Sequence, residues 1–309
     1  MKKKIIILTL NPKSHLEKLL YSLSESENLT DLIFLDSSSD DGSTEYLASR
    51  GFDIYNIKRS NFDHGGTRNF GARLAGGQGT EILVFMTQDA NPANNRWLEE
   101  LVAPIVSGEA VATFARQLPR RGASLLEQFS RYFNYPNISR LRDESDIERM
   151  GVKAFFFSNV CSAVQADIFW KVGGFPEHVI MNEDMTLAAK LLRAGYKIKY
   201  VAESEVIHSH DYTLKQQFRR NFDVGAFFAE AGQLLSGASV SGEGLRFVHE
   251  QMRYVLRHGR VELLPLVFIE AATKLTAFQL GKRHRFLPIS LKKKLSMHSY
   301  HWDQTKEKR

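Results

Sequence analysis

Three acidic clusters punctuate the first two thirds of the chain: Asp36-Ser37-Ser38-Ser39-Asp40-Asp41-Gly42-Ser43, Thr87-Gln88-Asp89-Ala90 and Asn182-Glu183-Asp184. Acids in this series suit a crevice that binds a divalent cation, holds a diphosphate and removes a proton. Asp89 offers a hard oxygen ligand. Mg2+ or Mn2+ on a diphosphate needs only one or two carboxylates, because phosphate oxygens and water complete the shell. His208 and His210 stand two apart in a strand-like run, so both can face one site. A nitrogen ligand from one of them shifts the preference toward manganese.

Asp184 is the candidate general base, which must come within hydrogen-bond reach of the hydroxyl it deprotonates. Glu183 beside it either contacts substrate or answers the positive end of a helix dipole. Asp36 ends an apolar run, where a carboxylate can accept the imide N–H of a uracil or thymine ring. Asp40 is a second nucleotide-contact candidate, and Asp41 reads as a helix cap. Arg68 and Asn69 follow the pair Gly65-Gly66. They either grip a diphosphate through a bidentate guanidinium or simply open a helix. Gln88 and Asn159 join the candidate substrate contacts. So does Arg219, which with Arg220 either offsets charge on a departing diphosphate or lies on the surface of a long helix.

Those side chains need strands that end at a common edge. The runs 5–10, 32–36 and 81–86 are short, apolar and separated by helical patterns, the β-α-β-α-β order of a parallel sheet with right-handed crossovers. A further strand is expected at 53–57 and helices at 14–24 and up to Gly76-Gly77. Carboxyl ends of such strands open into the crevice where α/β sheets bind ligands. Farther on, helices are expected at 94–106, 125–133, 167–172 and 183–193, and strands at 111–118, 154–163, 197–201 and 205–207. Residues 137–151 read as a charged mobile loop. Beyond Thr213 the chain reads as helical almost to its end. The stretch 235–243 is the best linker, dividing a catalytic domain, 1–235, from a helical basic extension, 243–309.

The chain has 309 residues, 43% of them hydrophobic and 25% charged, ordinary values for a globular α/β protein with a substantial core. Its single cysteine, Cys161, excludes an intrachain disulfide framework and points to a reducing compartment. The run Ile5–Leu10 is too short for a signal-peptide core, and no stretch reaches the ~20 apolar residues of a membrane span. The formal charge of +6 belongs to the tail, where residues 274–309 hold ten lysines and arginines against Asp303 and Glu307. Basic residues interleaved with Phe278, Phe286, Leu287, Tyr300 and Trp302 fit an anionic membrane surface or a solvated helical face. Nucleic acid is not an expected partner, since the basic patch is terminal and no recognition motif accompanies it.

Taken together, the acidic clusters and Gly173-Gly174-Phe175-Pro176 resemble glycosyltransferase family 2, the inverting GT-A enzymes, over about residues 3–232. A narrower likeness is to bacterial rhamnosyltransferases of O-antigen, capsule and cell-wall polysaccharide assembly. It rests on Asn61-Phe62-Asp63-His64-Gly65-Gly66-Thr67-Arg68-Asn69, on Thr-Gln-Asp-Ala, and on Ile207-His208-Ser209-His210-Asp211-Tyr212. The resemblance implies a GT-A fold, Rossmann-like, with a mostly parallel sheet flanked by helices. It implies a dTDP-L-rhamnose donor and a growing glycan or lipid-linked acceptor, while the single cysteine and the basic tail lead to the expectation of a cytoplasmic enzyme, peripheral at the inner face of the plasma membrane. The resemblance also implies Asp36 and Asp40 at the nucleotide, Asp89 and His208 on Mn2+ or Mg2+, and Asp184 as base. The chain departs from the family in having one acid in the metal element where many relatives have two. Its Gln216-Gln217-Phe218-Arg219-Arg220 also lacks the Trp of processive members, which points to single-sugar or short-repeat addition. The alternatives are a UDP-hexose donor, a nucleotide-sugar hydrolase or a non-catalytic, membrane-associated scaffold. A nucleotidyltransferase fits poorly, because Leu10-Asn11-Pro12-Lys13-Ser14 has no glycine-rich loop.

Overall fold

A computed structural model describes residues 1–25, 31–235 and 242–304. The chain opens with β1 (Lys3–Thr9), α1 (Lys13–Ser24), β2 (Leu32–Asp36), α2 (Ser43–Ser49), β3 (Asp53–Asn56), α3 (His64–Gly76) and β4 (Ile82–Thr87). These strands lie parallel in the order β3-β2-β1-β4. Of these, β1, β2 and β4 read as nearly unbroken apolar runs because both their faces are covered. Ile6, Ile33, Leu35 and Phe85 point into one core layer, and Ile5, Ile7, Phe34 and Val84 into the other.

There follow β5 (Asn91–Pro92), α4 (Trp97–Val106), β6 (Ala112–Leu118), α5 (Leu125–Asn134), β7 (Arg140–Arg142), α6 (Ser145–Met150), β8 (Cys161–Gln165), α7 (Ala166–Lys171), α8 (Glu183–Arg193) and β9 (Ile198–Ile207). Beyond β4 the sheet also takes antiparallel neighbours. β8 inserts antiparallel between β4 and β6, while β6 and β9 are again parallel. The sheet is therefore mixed, with the order β3-β2-β1-β4-β8-β6-β9-β5 and β7 beside β9. The two strands expected at 197–201 and 205–207 are one, interrupted by a bulge opposite Ala115 and Arg116.

Residues 137–151, expected as a loop, carry β7 and α6 instead. The cause is Arg142, which is buried and donates hydrogen bonds to the carbonyls of Lys153, Ala154 and Phe156. Burial lowers its guanidinium to about 10, still charged at neutral pH. Its grip shapes 151–155 into a 3-10 turn, so the sheet resumes only at Cys161 and not at Ala154. Cys161 is buried in the core, and burial pushes its thiol above the ordinary range.

The C-terminal part comprises α9 (Leu214–Glu230), α10 (Glu243–Arg257), α11 (Leu264–Lys282), α12 (Ile289–Leu295) and α13 (His301–Gln304). The linker expected at 235–243 falls mostly on 236–241, outside the described residues. α11 packs directly on α9. A Cβ on Gly225 would stand 2.2 Å from the Phe278 carbonyl oxygen, and one on Gly281 would stand 2.0 Å from that of Phe222. Only glycine allows two helix backbones this close. α11 is thereby fastened to α9. Among the described residues no helix is long and apolar enough to cross a membrane.

Candidate active site

Asp89 follows β4, and His208 and His210 follow β9. His208 prolongs the β6–β9 ladder by donating its N–H to the Leu118 carbonyl, 3.0 Å, so both rings project to the same side. Asp89 Oδ2 lies 3.1 Å from His210 Nε2 and 3.5 Å from His208 Nε2, and the two Nε2 atoms are 3.0 Å apart. Burial opposes the Asp89 charge, but the two histidines that face it outweigh that cost and hold the carboxyl well below the usual range.

The tautomer of His208 follows from its neighbours. Gln117 of β6 donates through Nε2 to Tyr135 Oη (2.6 Å) and Ser158 Oγ (2.9 Å), while its Oε1 accepts from Arg131 (2.6 Å). That oxygen lies 2.9 Å from His208 Nδ1. Nδ1 must therefore carry the proton, which leaves the Nε2 lone pair aimed at Asp89. Burial lowers the pKa of His208, in keeping with a neutral ring. A carboxylate oxygen and two imidazole nitrogens within 4.8 Å of one another form a donor set that fits a divalent cation, manganese better than magnesium. Glu127 of α5 fixes the histidine turn from below by accepting from the His210 N–H and Ser209 Oγ, both at 3.1 Å.

The third acidic cluster splits two adjacent carboxylates into different environments. Asn182 adopts a left-handed φ of 60° just before α8. Glu183 turns inward and pairs with Arg68 Nη1 at 2.9 Å, with both side chains under a tenth exposed. It also accepts from Asn159 Nδ2 at 3.2 Å. Burial resists its charge, but Arg68 and His64 keep its pKa low. Asp184 accepts only backbone N–H groups, from Asn159 (3.1 Å) and Met185 (2.8 Å). Burial, reinforced by the charge of Glu183, raises its pKa well above the carboxylate range. Asp184 and the Asp89–His208–His210 group line one cavity of about 360 Å3.

A second cavity, about 600 Å3, adjoins it at the open ends of β1, β2 and β4, where Leu10, Ser37 and Gln88 line it. His64, Arg68, Thr87 and His298 border both. With the strand order β3-β2-β1-β4, this is the topological switch point at which open α/β sheets hold nucleotides.

Against known proteins, the model of the family described as Glycosyl transferase family 2 matches residues 4–173. The chain belongs to glycosyltransferase family 2. It is 37% identical to the O-antigen chain rhamnosyltransferase WbaN of Salmonella anatum over 88% of this chain and 86% of that protein. It is 36% identical to the O-antigen chain rhamnosyltransferase RfbN of Salmonella typhimurium over 98% and 96%. Among solved structures, the mannosyltransferase PcManGT of Pyrobaculum calidifontis, in complex with GDP-Man and Mn2+, superposes with a TM-score of 0.55, 17% identity, and coverage of 99% of this chain and 86% of that one. TarS 1–349 of S. aureus, in complex with UDP-GlcNAc, gives 0.54, 13%, 92% and 91%. These structural likenesses identify the fold as GT-A.

Within this glycosyltransferase several expected contacts are committed elsewhere. Asn69 is buried and exchanges hydrogen bonds with both backbone groups of Phe175, so it braces the Gly173–Pro176 turn and is absent from both cavities. Gly65 serves packing: a Cβ there would stand 1.9 Å from the Pro176 carbonyl oxygen. Arg68 reaches the cavities but gives Nη1 to Glu183 and the His64 carbonyl, so Glu183 lines the smaller cavity already paired. Gln88 borders the larger cavity but spends its amide on both backbone groups of Leu10. Asp36, 1% exposed, accepts from Thr9 Oγ1, Ser39 Oγ and the Ser39 N–H. Asp40 is exposed outside both cavities. Asp41 accepts from the Lys13 and Ser43 N–H groups and so ties together the starts of α1 and α2. Arg220, and not Arg219, lines the catalytic cavity. Residues that the sequence reading missed are Gln117, Arg131, Tyr135 and Glu127. A glutamine within the expected strand 111–118 was the available signal.

Proposed function

We propose that this enzyme transfers L-rhamnose from dTDP-L-rhamnose, with inversion, to a hydroxyl of a bacterial surface glycan or its lipid-linked precursor. The donor rests on the likeness to the two O-antigen rhamnosyltransferases. The chemistry rests on one observation above the others: Asp184, a carboxylate with raised proton affinity, shares a cavity with Asp89, His208 and His210. Asp184 takes the acceptor proton as its oxygen attacks the anomeric carbon. Glu183 is neutralised by Arg68, so among the residues lining this cavity no second carboxylate is free to act as a nucleophile, which favours a single displacement. Asp89 with one or both histidines would hold Mn2+ or Mg2+, which when bound neutralises charge developing on the leaving diphosphate. Arg220, at the cavity edge, adds positive charge.

The supporting experiment is a thermal-shift titration with dTDP, UDP and GDP, with and without manganese, since a ligand of the folded state raises the melting temperature. A manganese-dependent shift that is largest for dTDP is expected. A larger shift with UDP overturns the donor, and no shift with any of the three overturns the nucleotide site. Sugar release without an acceptor would mark a hydrolase instead.

Peripheral attachment to an anionic membrane is part of the same proposal. Phe286, which follows Arg285 in the chain, is 87% exposed, and Leu275 and Phe268, seven residues apart on α11, are 61% and 55% exposed. Cosedimentation with phosphatidylglycerol vesicles should be lost in a Phe286→Ser, Leu275→Ser variant. Retention in that variant would rule out this face.

A further inference from the structure

The C-terminal segment does more than pack. Asp223 of α9 is 0% exposed, and its Oδ2 accepts the backbone N–H groups of Met297 (2.8 Å) and His298 (3.1 Å). Trp302 is 2% exposed, with ring centroids 5.2 Å from His284 and 6.4 Å from Phe222. These two anchors draw the chain between α12 and α13 across to the open ends of the parallel strands. There the His298 ring sits 5.2 Å from that of His64, and the Tyr300 ring 6.1 Å from that of Phe62, both edge to face.

His298, Ser299 and Tyr300 line the 600 Å3 cavity that β1, β2 and β4 open into. His298 also lines the cavity of Asp89 and Asp184. The larger cavity is the more apolar of the two, as a base and a sugar ring require, and its volume falls in the ~300–1,000 Å3 range of small-molecule sites. A nucleoside diphosphate lying along the crevice would thus meet the tail at two places, the aromatic pair at its nucleoside end and His298 where the diphosphate begins.

We propose that His298–Tyr300 forms a wall of the donor-nucleotide site, with Tyr300 and Phe62 bounding the nucleoside and His298 positioned at the diphosphate junction. The inference rests on the glycosyltransferase reading of the crevice and adds to it that the C-terminal extension is part of the donor site. The wall is delivered by three separate devices: the glycine crossing of α9 and α11, the Asp223 clasp and the Trp302 anchor. Donor affinity is therefore set partly by residues more than 200 positions from the strands that form the rest of the site.

The test uses the full chain with manganese and whichever of dTDP, UDP or GDP the wild type binds most tightly. Calorimetry should show at least a tenfold weaker nucleotide affinity in Tyr300→Ala and in His298→Ala, with donor KM raised to match and acceptor KM unmoved. Tyr300→Phe, which keeps the ring, should bind within threefold of wild type, an outcome that a general loosening of the fold would not produce. Hydrogen exchange on the unmodified protein gives a second readout, because nucleotide should slow exchange of the amides at 297–300. Unchanged affinity in both alanine variants, or unchanged exchange at 297–300, overturns the proposal. Failure of the wild type to bind any of the three nucleotides would instead sink the function reading on which it rests.

Discussion

The loops after β2 and β4 carry acids at equivalent places in the sheet, and the fold uses them differently. After β2, Asp36 and Asp41 are consumed by the loop itself. Their oxygens accept from Thr9, Ser39, Lys13 and Ser43. After β4, Asp89 faces two imidazole nitrogens at 3.1 and 3.5 Å. An acid at a strand end is therefore available as a ligand when the surrounding backbone leaves its oxygens unspent. A different contrast separates Glu183, whose charge is answered by Arg68, from Asp184, which accepts only backbone N–H groups and keeps a raised pKa.

The sharpest way to break this contrast is to remove the acid after β4. Asp89→Ala should lower transfer by at least about 10^3-fold, through lost charge compensation at the leaving group. Calorimetry should show manganese binding lost as well. Near-normal turnover with intact manganese binding would place the metal elsewhere.

Asp184→Asn should cost about 10^2- to 10^4-fold in kcat, the usual worth of a positioned base. The pH profile gives the sign. The base works deprotonated, and its pKa is raised to about 7. Wild-type activity should therefore climb as pH rises through neutrality and then level off. That limb reports the Glu183–Asp184 pair jointly. It should move down if the repulsion is removed in Glu183→Gln, provided Arg68 leaves that variant folded. A flat profile between pH 5 and 9 would remove Asp184 from the base role.

The parallel half of the sheet was legible because strands buried on both faces must be apolar along their length, and 5–10, 32–36 and 81–86 are so except for Thr9, Asp36 and Glu81 at or near their ends. The antiparallel insertion of β8 was not, since Cys161–Gln165 carries no signal of direction, and neither was the 137–151 region, whose order hangs on Arg142 reaching carbonyls eleven to fourteen residues away. At the site, the pairing of His208 with His210 followed from strand periodicity. The commitment of Arg68 to Glu183 spans 115 residues, and no local pattern announces it. Gln117 shows the limit best: its polarity within a buried strand was visible, but its role in setting the His208 tautomer depends on Tyr135, Ser158 and Arg131, which arrive from other elements.

That role predicts a smaller effect. Gln117→Leu removes the acceptor that holds the proton on His208 Nδ1, and manganese affinity should fall about 10- to 100-fold, as is usual when the partner of a ligand histidine is lost. Excess manganese should restore most of the activity. A loss that metal cannot rescue would mean that Gln117 acts through the fold of β6 rather than through His208.

The mildest effect on catalysis is expected where the sequence looked most suggestive. Asp36→Asn leaves one acceptor oxygen and sets an NH2 group against the Ser39 N–H or the Thr9 hydroxyl, both donors in the present arrangement. Each frustrated buried contact costs about 1–3 kcal/mol, so the denaturation midpoint should fall clearly. Donor kcat/KM, measured well below that midpoint, should drop less than about tenfold, because the loop is weakened while the triad and Asp184 are untouched. A loss in kcat/KM as large as that of Asp89→Ala, with stability unchanged, would mean that Asp36 exchanges its loop partners for the nucleotide when donor binds. The two acids would then be alike after all, one presented in advance and the other released by its ligand.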